Sequence, residues 1–319
     1  MLISPEVLTI YILDILFALF ASVAFVISLK IVKDYDVNAT TALQYELEKK
    51  SYLAATIIKY LFFIKVPFFL FFIFTLDSIS FILPGAMCGA GVVNASSEAT
   101  PLLFLKLLNI YLFAYWIVLD KEDMSIESQP YMKRKFLLYL LFYVLLIVEI
   151  ALEFSMFLNI DITSVVDCCG AIFSHSDGSY MALVLGLPHS LIVSFFYGNY
   201  FFLLFSYFLN SRYIFAFFTL IFIPLALVSL IVFFGTYIYE LPTHHCPFCL
   251  LQRDYNYVGY FLYASLFLGT FNGIVIGMHH FSQEIQKKKM NTALFFISIY
   301  LFIVSMYVVS FYYRNAVLL

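Results

Sequence analysis

Apolar residues gather in eight long stretches, about 8–29, 57–82, 101–119, 136–157, 181–208, 213–237, 248–277 and 292–312. Each is close to or above the roughly 20 residues a helix needs to cross a bilayer. No segment alternates apolar and polar residues as a barrel strand does. Lipid offers the backbone no hydrogen bonds, so a spanning chain must be helical or a closed barrel. The pattern therefore predicts an all-α, polytopic membrane protein of about eight spans.

The connections differ in charge. Segments 30–50, 120–135 and 279–291 and the turn at Arg212 hold 12 of the 17 basic residues. Segments 83–100, 158–180 and 238–249 hold none. The positive-inside rule puts the first set in the cytoplasm and the second outside, with both termini outside. No basic residue precedes the first apolar run, which argues for a first helix that starts outside rather than a cleaved leader.

Composition agrees with this pattern. Of 319 residues, 64% are hydrophobic and only 12% charged, with 39 Phe and 25 Tyr. A soluble domain of this size does not need so much apolar surface, so lipid is the expected surrounding. The net charge of −3 comes with no basic face, so no nucleic-acid partner is expected.

Charge patterning also locates the five cysteines. Cys88, Cys168, Cys169, Cys246 and Cys249 all fall in the three connections without lysine or arginine, or at their helix entries. All five thiols are thus expected on the outer side, where disulfides persist in a bacterium. Cys246-Pro247-Phe248-Cys249 stands where the last outer loop meets span seven. Two cysteines three apart on a first helical turn face the same way and close a disulfide with little backbone change. A helix N-terminus also lowers thiol pKa. This motif is a redox site in expectation.

The loop before span five reads Asp167-Cys168-Cys169-Gly170-Ala171-Ile172-Phe173-Ser174 and leads into Gly186-Leu187-Pro188. A cysteine-bearing outer loop, two helices, Cys-x-x-Cys and a further helix come in that order. The arrangement resembles the vitamin K epoxide reductase family, with Cys169, Phe173, Ser174, Gly186 and Pro188 matching its loop and helix entry. It is also similar to the DsbB family of disulfide-bond oxidases, whose Cys-x-x-Cys is followed four residues later by an arginine near the quinone; Arg253 stands there. The resemblance covers about residues 136–277. It departs from the family in having Cys168 and Cys169 adjacent, and in Cys88, spans one to three and the last span lying outside the family core.

The resemblance implies a redox bundle over 131–280, made of spans four to seven. It would be preceded by an N-terminal extension over 1–130 and followed by a C-terminal span over 281–319. It implies electron flow from a separate periplasmic thioredoxin-like thiol protein, through loop cysteines, to Cys246–Cys249 and on to a membrane quinone, ubiquinone or menaquinone. The setting would be a bacterial inner membrane. Cys249, one turn deeper than Cys246, is expected to meet the quinone. A disulfide between Cys88 and Cys168 or Cys169 is expected in one redox state. The rival reading is a non-catalytic membrane protein, handling metal or haem or serving transport, with structural disulfides.

Other residues carry paired readings. Arg253 either polarises a quinone carbonyl from one turn further inward or snorkels to the interface. Glu149 and Glu153, four apart in the outer half of span four, either relay the protons that quinone reduction consumes or pair with Lys106 as structural partners. Asp14 and Asp77 are placed nearer the outer interface. His244 and His245 are solvated loop residues or metal ligands with the two cysteines, but a closed metal cap would block the thiols, so no metal is expected. His189 is a cofactor ligand or a packing residue. Tyr255, Tyr257 and Tyr260 line a ring pocket or belong to an aromatic belt.

Overall fold

The protein is described by a computed structural model over residues 4–36, 39, 41–126, 129–163, 165–166 and 186–319. The described residues are helical, without strands. Eight helical segments are long and apolar enough to cross a membrane. They are Pro5–Asp34 (α1), Ala42–Ser80 (α2), Ala99–Met124 (α4), Met132–Asn159 (α5), His189–Phe208 (α6), Arg212–Tyr239, Val258–Met278 (α9) and Gln283–Asn315 (α10). A short helix, Gly89–Asn94 (α3), lies between α2 and α4. Each of the eight expected apolar stretches carries one of these helices.

Helix ends follow local chemistry. Ser4 accepts from the Val7 N–H at 3.3 Å and Thr41 from the Gln44 N–H at 3.4 Å, capping α1 and α2. Ser282 caps α10 in the same way. α2 begins 15 residues before its apolar run, through a polar first part held by a Glu46–Lys50 pair four apart at 2.5 Å.

The helices are apolar outward and partly polar inward. Leu19, Phe63, Phe104, Phe202 and Phe302 stand exposed, while Asp14, Ser28, Lys106, Glu153 and Thr219 are buried. This inversion of the soluble pattern suits a lipid surround.

The chain divides into two compact units, Met1–Val166 and Asp167–Leu319. In the first, α1 packs on α2 and α5, and α4 packs on α5 and α2. In the second, α9 packs on α10 and on Arg212–Ser229 (α7), which also packs on α6. The family resemblance predicts a different boundary, with span four in a bundle with spans five to seven. In the structure α5 belongs to the first unit, because its buried carboxylates meet lysines of α2 and α4. The last span belongs to the second unit, packed along α9. There Gly269 admits Ile297, which an added Cβ would meet at 2.8 Å.

Candidate redox site

The Cys-x-x-Cys segment is built on an interrupted helix. After α7 the chain makes one π turn, Leu230–Phe234, before the last turn Gly235–Tyr239 (α8). The Gly235 N–H bonds Leu230 O, and a Cβ at Gly235 would sit 2.7 Å from that oxygen. Such π turns recur at functional sites because they redirect side chains and loosen the regular ladder. Here the Ile231 carbonyl accepts from His245 Nδ1 at 2.8 Å, which ties the loop back to the helix. Glu240 ends the helix in the left-handed region, with φ 55°, and the Leu241 N–H returns to Thr236 O.

Two tyrosines hold the cysteine turn by its backbone. Tyr239 Oη donates to Cys246 O, and Tyr263 Oη donates to Pro247 O at 2.8 Å. Cys249–Leu251 is a single 3₁₀ turn, closed by Gln252 N–H to Cys249 O at 3.0 Å. The turn rests on α9 where a side chain is absent. A Cβ at Gly259 would lie 2.9 Å from Leu250 C and 3.0 Å from Leu250 O. Tyr239 packs edge-on against Tyr255 at 4.6 Å and against His244 at 4.2 Å. Burial, then Cys249, then Asp254 and Cys246 push the Tyr255 phenol up from its ordinary value, so it stays protonated at neutral pH.

Inside this frame Cys246 is fully buried and Cys249 is 6% exposed. Their Sγ atoms lie within 4.8 Å of one another. A disulfide needs about 2.05 Å, so rotation about the side chains and a small closing of the turn join them.

The geometry differs from the expected first turn of span seven. α9 starts at Val258, not at 248. Gln252 is extended, at ψ 160°, and Asn256 and Tyr257 are left-handed, at φ 53° and 56°. The pair is therefore not at the N-terminus of the long helix, and its amide field does not bear on these thiols as expected. Arg253 is not one turn inward either, but lies in a separate 3₁₀ turn, Arg253–Tyr255, and is exposed. Tyr257 is exposed, while Tyr255 and Tyr260 are half-buried. Tyr263, which sequence reading passed over, is the tyrosine of α9 that bonds the motif; its spacing of 16 from Pro247 gave no local signal. His189 is exposed at the start of α6, edge-on to Phe233. Cys168, Cys169 and Ser174 lie outside the described residues. Cys88 belongs to the first unit, where it is buried and precedes α3 as its N-cap residue.

Glu149 and Glu153 also belong to the first unit, inside a buried ionic cluster. Lys106 Nζ lies 3.1 Å from Glu149 Oε1 and 2.5 Å from Glu153 Oε2. The pairing with Lys106 read from sequence is present. A second lysine joins them: Lys65 Nζ stands 2.9 Å from Glu149 Oε1 and 3.8 Å from Asp14 Oδ1. Asn109 Nδ2 donates to Glu149 Oε2 at 2.5 Å. The ammonium groups also face rings, Lys106 over Phe72 at 4.5 Å and Lys65 over Phe17 at 5.2 Å. Asp14 is fully buried and belongs to this cluster. Lys65, within an apolar run, was the signal that sequence reading left unused. A second cluster joins Asp120 to Lys59 at 2.5 Å and to Lys135 at 2.8 Å, with Lys135 also 2.8 Å from Asp123. Lys135, read as a loop residue, is buried there.

Comparison of the chain with family models, with curated proteins and with solved structures finds no match.

Proposed function

We propose that this protein is a membrane thiol–disulfide oxidoreductase that passes electrons from protein thiols through Cys246 and Cys249 to a membrane quinone. The observation that carries this reading is the pair itself. Two buried sulfurs stand within 4.8 Å in a turn whose backbone two tyrosines anchor. The order of loop cysteines, helices and Cys-x-x-Cys over about residues 136–277 supports the resemblance to vitamin K epoxide reductase. The aromatic and apolar rim after the pair, with Tyr257 and Phe261 48% and 69% exposed, suits a lipid-soluble acceptor.

The electron balance is simple. A partner dithiol attacks the Cys246–Cys249 disulfide through a mixed disulfide and leaves oxidised. The pair, now carrying two electrons and two protons more, returns both to the quinone, which leaves as quinol. Cys88, Cys168 and Cys169 are the shuttle candidates between the partner and the pair. The setting proposed is the bacterial inner membrane, with the cysteine-bearing connections on the periplasmic face.

The purified protein with a quinone and a reduced thioredoxin-like protein tests this directly. Quinone reduction is expected with the native chain and should fall to the uncatalysed background in Cys246→Ser and in Cys249→Ser. An unchanged rate in Cys249→Ser, or no turnover of the native chain, overturns the reading in favour of structural disulfides. Orientation is a separate measurement. A reporter active only outside should work when fused near residues 95, 170 or 243 and be silent near 127 or 285. Activity at 127 moves every cysteine to the reducing side.

A further inference from the structure

The two ionic clusters of the first unit differ in their charge count. The cluster near the helix ends pairs Asp120 and Asp123 with Lys59 and Lys135, two against two. The other sets three carboxylates, Asp14, Glu149 and Glu153, against two ammonium groups, Lys65 and Lys106. It lies inside the apolar stretches, toward one end of α1, α4 and α5. Asp14 is nine residues past Pro5, about 14 Å along α1 by the helical rise. An excess charge buried at such depth is costly, and groups there shed it or find a counter-ion. Asp77, the next acid on α2, is 12 residues beyond Lys65, about 18 Å away along the helix.

The hydrogen bonds show where the excess falls. Glu149 is saturated by Lys65, Lys106 and Asn109. Glu153 uses Oε2 for Lys106, while its Oε1 is buried without a hydrogen-bond partner. Asp14 is fully buried, and neither of its oxygens has a hydrogen-bond partner. Lys65, at 3.8 Å, is within ion-pair range of Asp14 but beyond hydrogen-bond range. Asp14 and Glu153 are neighbours in this cluster, each with buried oxygens that no donor reaches. Two ionised carboxylates, both acceptors only, cannot satisfy each other; one proton between them would supply the missing donor and remove the excess charge. Tyr11 Oη, one turn from Asp14 and near both acids, is a further buried oxygen without a hydrogen-bond partner. Stacked Phe154 and edge-on Phe157 wall it in, at 4.1 Å and 6.0 Å.

We infer that Asp14 and Glu153 form a binding site for one proton inside the first unit. Loading is Asp14–COO⁻ plus H⁺ giving Asp14–COOH, which donates to the Glu153 carboxylate; unloading returns the proton and leaves Asp14 facing Lys65. The groups facing Asp14 are Tyr11 on its own helix, Lys65 on α2, Lys106 on α4, and Glu149 and Glu153 on α5. The proton is favoured over a metal cation because a proton needs only two facing oxygens. Among the described residues, the three carboxylates do not converge on one point as metal ligands do. A protonatable carboxyl deep in a membrane helix bundle is the kind of group that carries protons across or into a bilayer. The site stands on the first unit alone and does not depend on the thiol chemistry.

The test is infrared difference spectroscopy of the protein in lipid nanodiscs, with aspartate labelled by ¹³C, near neutral pH. A carboxylic-acid carbonyl band is expected, shifted by the label, lost in Asp14→Asn and moved in Glu153→Gln. Asp14→Asn leaves two carboxylates against two ammonium groups, so it should fold, and circular dichroism and the melting temperature check this. No protonated-carboxyl band in a folded native chain overturns the proposal and leaves a fully ionised structural network. A band that persists in Asp14→Asn overturns the assignment. A sodium-dependent rise in melting temperature that Asp14→Asn abolishes replaces the proton with a metal cation and equally overturns it.

Discussion

Replacing Lys106 by Met is expected to unfold the first unit under conditions where the native chain is stable. Lys106 is the ammonium group shared by Glu149 and Glu153, at 3.1 Å and 2.5 Å, and it is 3% exposed. Methionine fills much of its volume and keeps contact with Phe72 but leaves one ammonium, Lys65, against three carboxylates. Removing one partner of a buried pair costs about 3–5 kcal/mol, far more than the pair contributes net, because the remaining charge is stranded. The double variant Lys106→Met with Glu153→Gln checks that stranded charge is the cause. It restores a difference of one charge between acids and bases and should recover much of the loss. Trp116 is the chain's one tryptophan and lies fully buried in α4, with its Nε1 donating to Lys135 O at 2.8 Å. Its fluorescence on heating or in denaturant therefore reports this unit. A melting temperature unchanged in Lys106→Met sinks the idea that the cluster organises the unit.

That cluster also marks how far the sequence could be read. The spans were legible because lipid demands long apolar runs and nothing else in the chain resembles them. The pairing of Lys106 with Glu149 and Glu153 was legible from their depth and from the spacing of four. Asp14 and Lys65 were not joined to it, because a linear pattern gives depth along each helix but not which helices are neighbours. The same gap displaced the bundle boundary. The family-like order of elements groups span four with spans five to seven, whereas its buried charges bind it to spans one to three. At the cysteine motif the miss was local. An apolar run starting at 248 hides the polar stretch Gln252-Arg253-Asp254-Tyr255-Asn256, which breaks the chain into two 3₁₀ turns before α9. The Cys246 and Pro247 carbonyls, which no helix satisfies, are met instead by tyrosine hydroxyls from α8 and α9, partners no short-range pattern announces.

The dependence of the motif on α9 yields the second large effect, in Gly259→Val. A Cβ at this position would stand 2.9 Å from both the carbonyl carbon and the Cβ of Leu250, and 3.0 Å from Leu250 O. Two of those three atoms are backbone, so no side-chain rotation relieves the contact, and the branched valine adds further atoms on the same side. The 3₁₀ turn carrying Cys249 must lift from the helix. Overpacking of this kind costs about 1–3 kcal/mol. Concentrated on one turn, that shifts its opening equilibrium by about 5–150-fold. Alkylation of Cys246 and Cys249 in the reduced protein should speed up by a factor in that range, while helical content is kept. Tyr263→Phe supplies the graded comparison. It removes the one hydroxyl bond to Pro247 O and leaves the packing, a loss of about 1 kcal/mol, and should raise the same rate by a smaller factor. If the proposed thiol chemistry holds, quinone reduction should fall in the same order, Gly259→Val below Tyr263→Phe below native, because a loosened turn no longer keeps its two sulfurs adjacent. Equal alkylation rates in all three proteins would mean that the turn is not held by α9, and the Tyr263 bond and the glycine contact would then carry no functional weight.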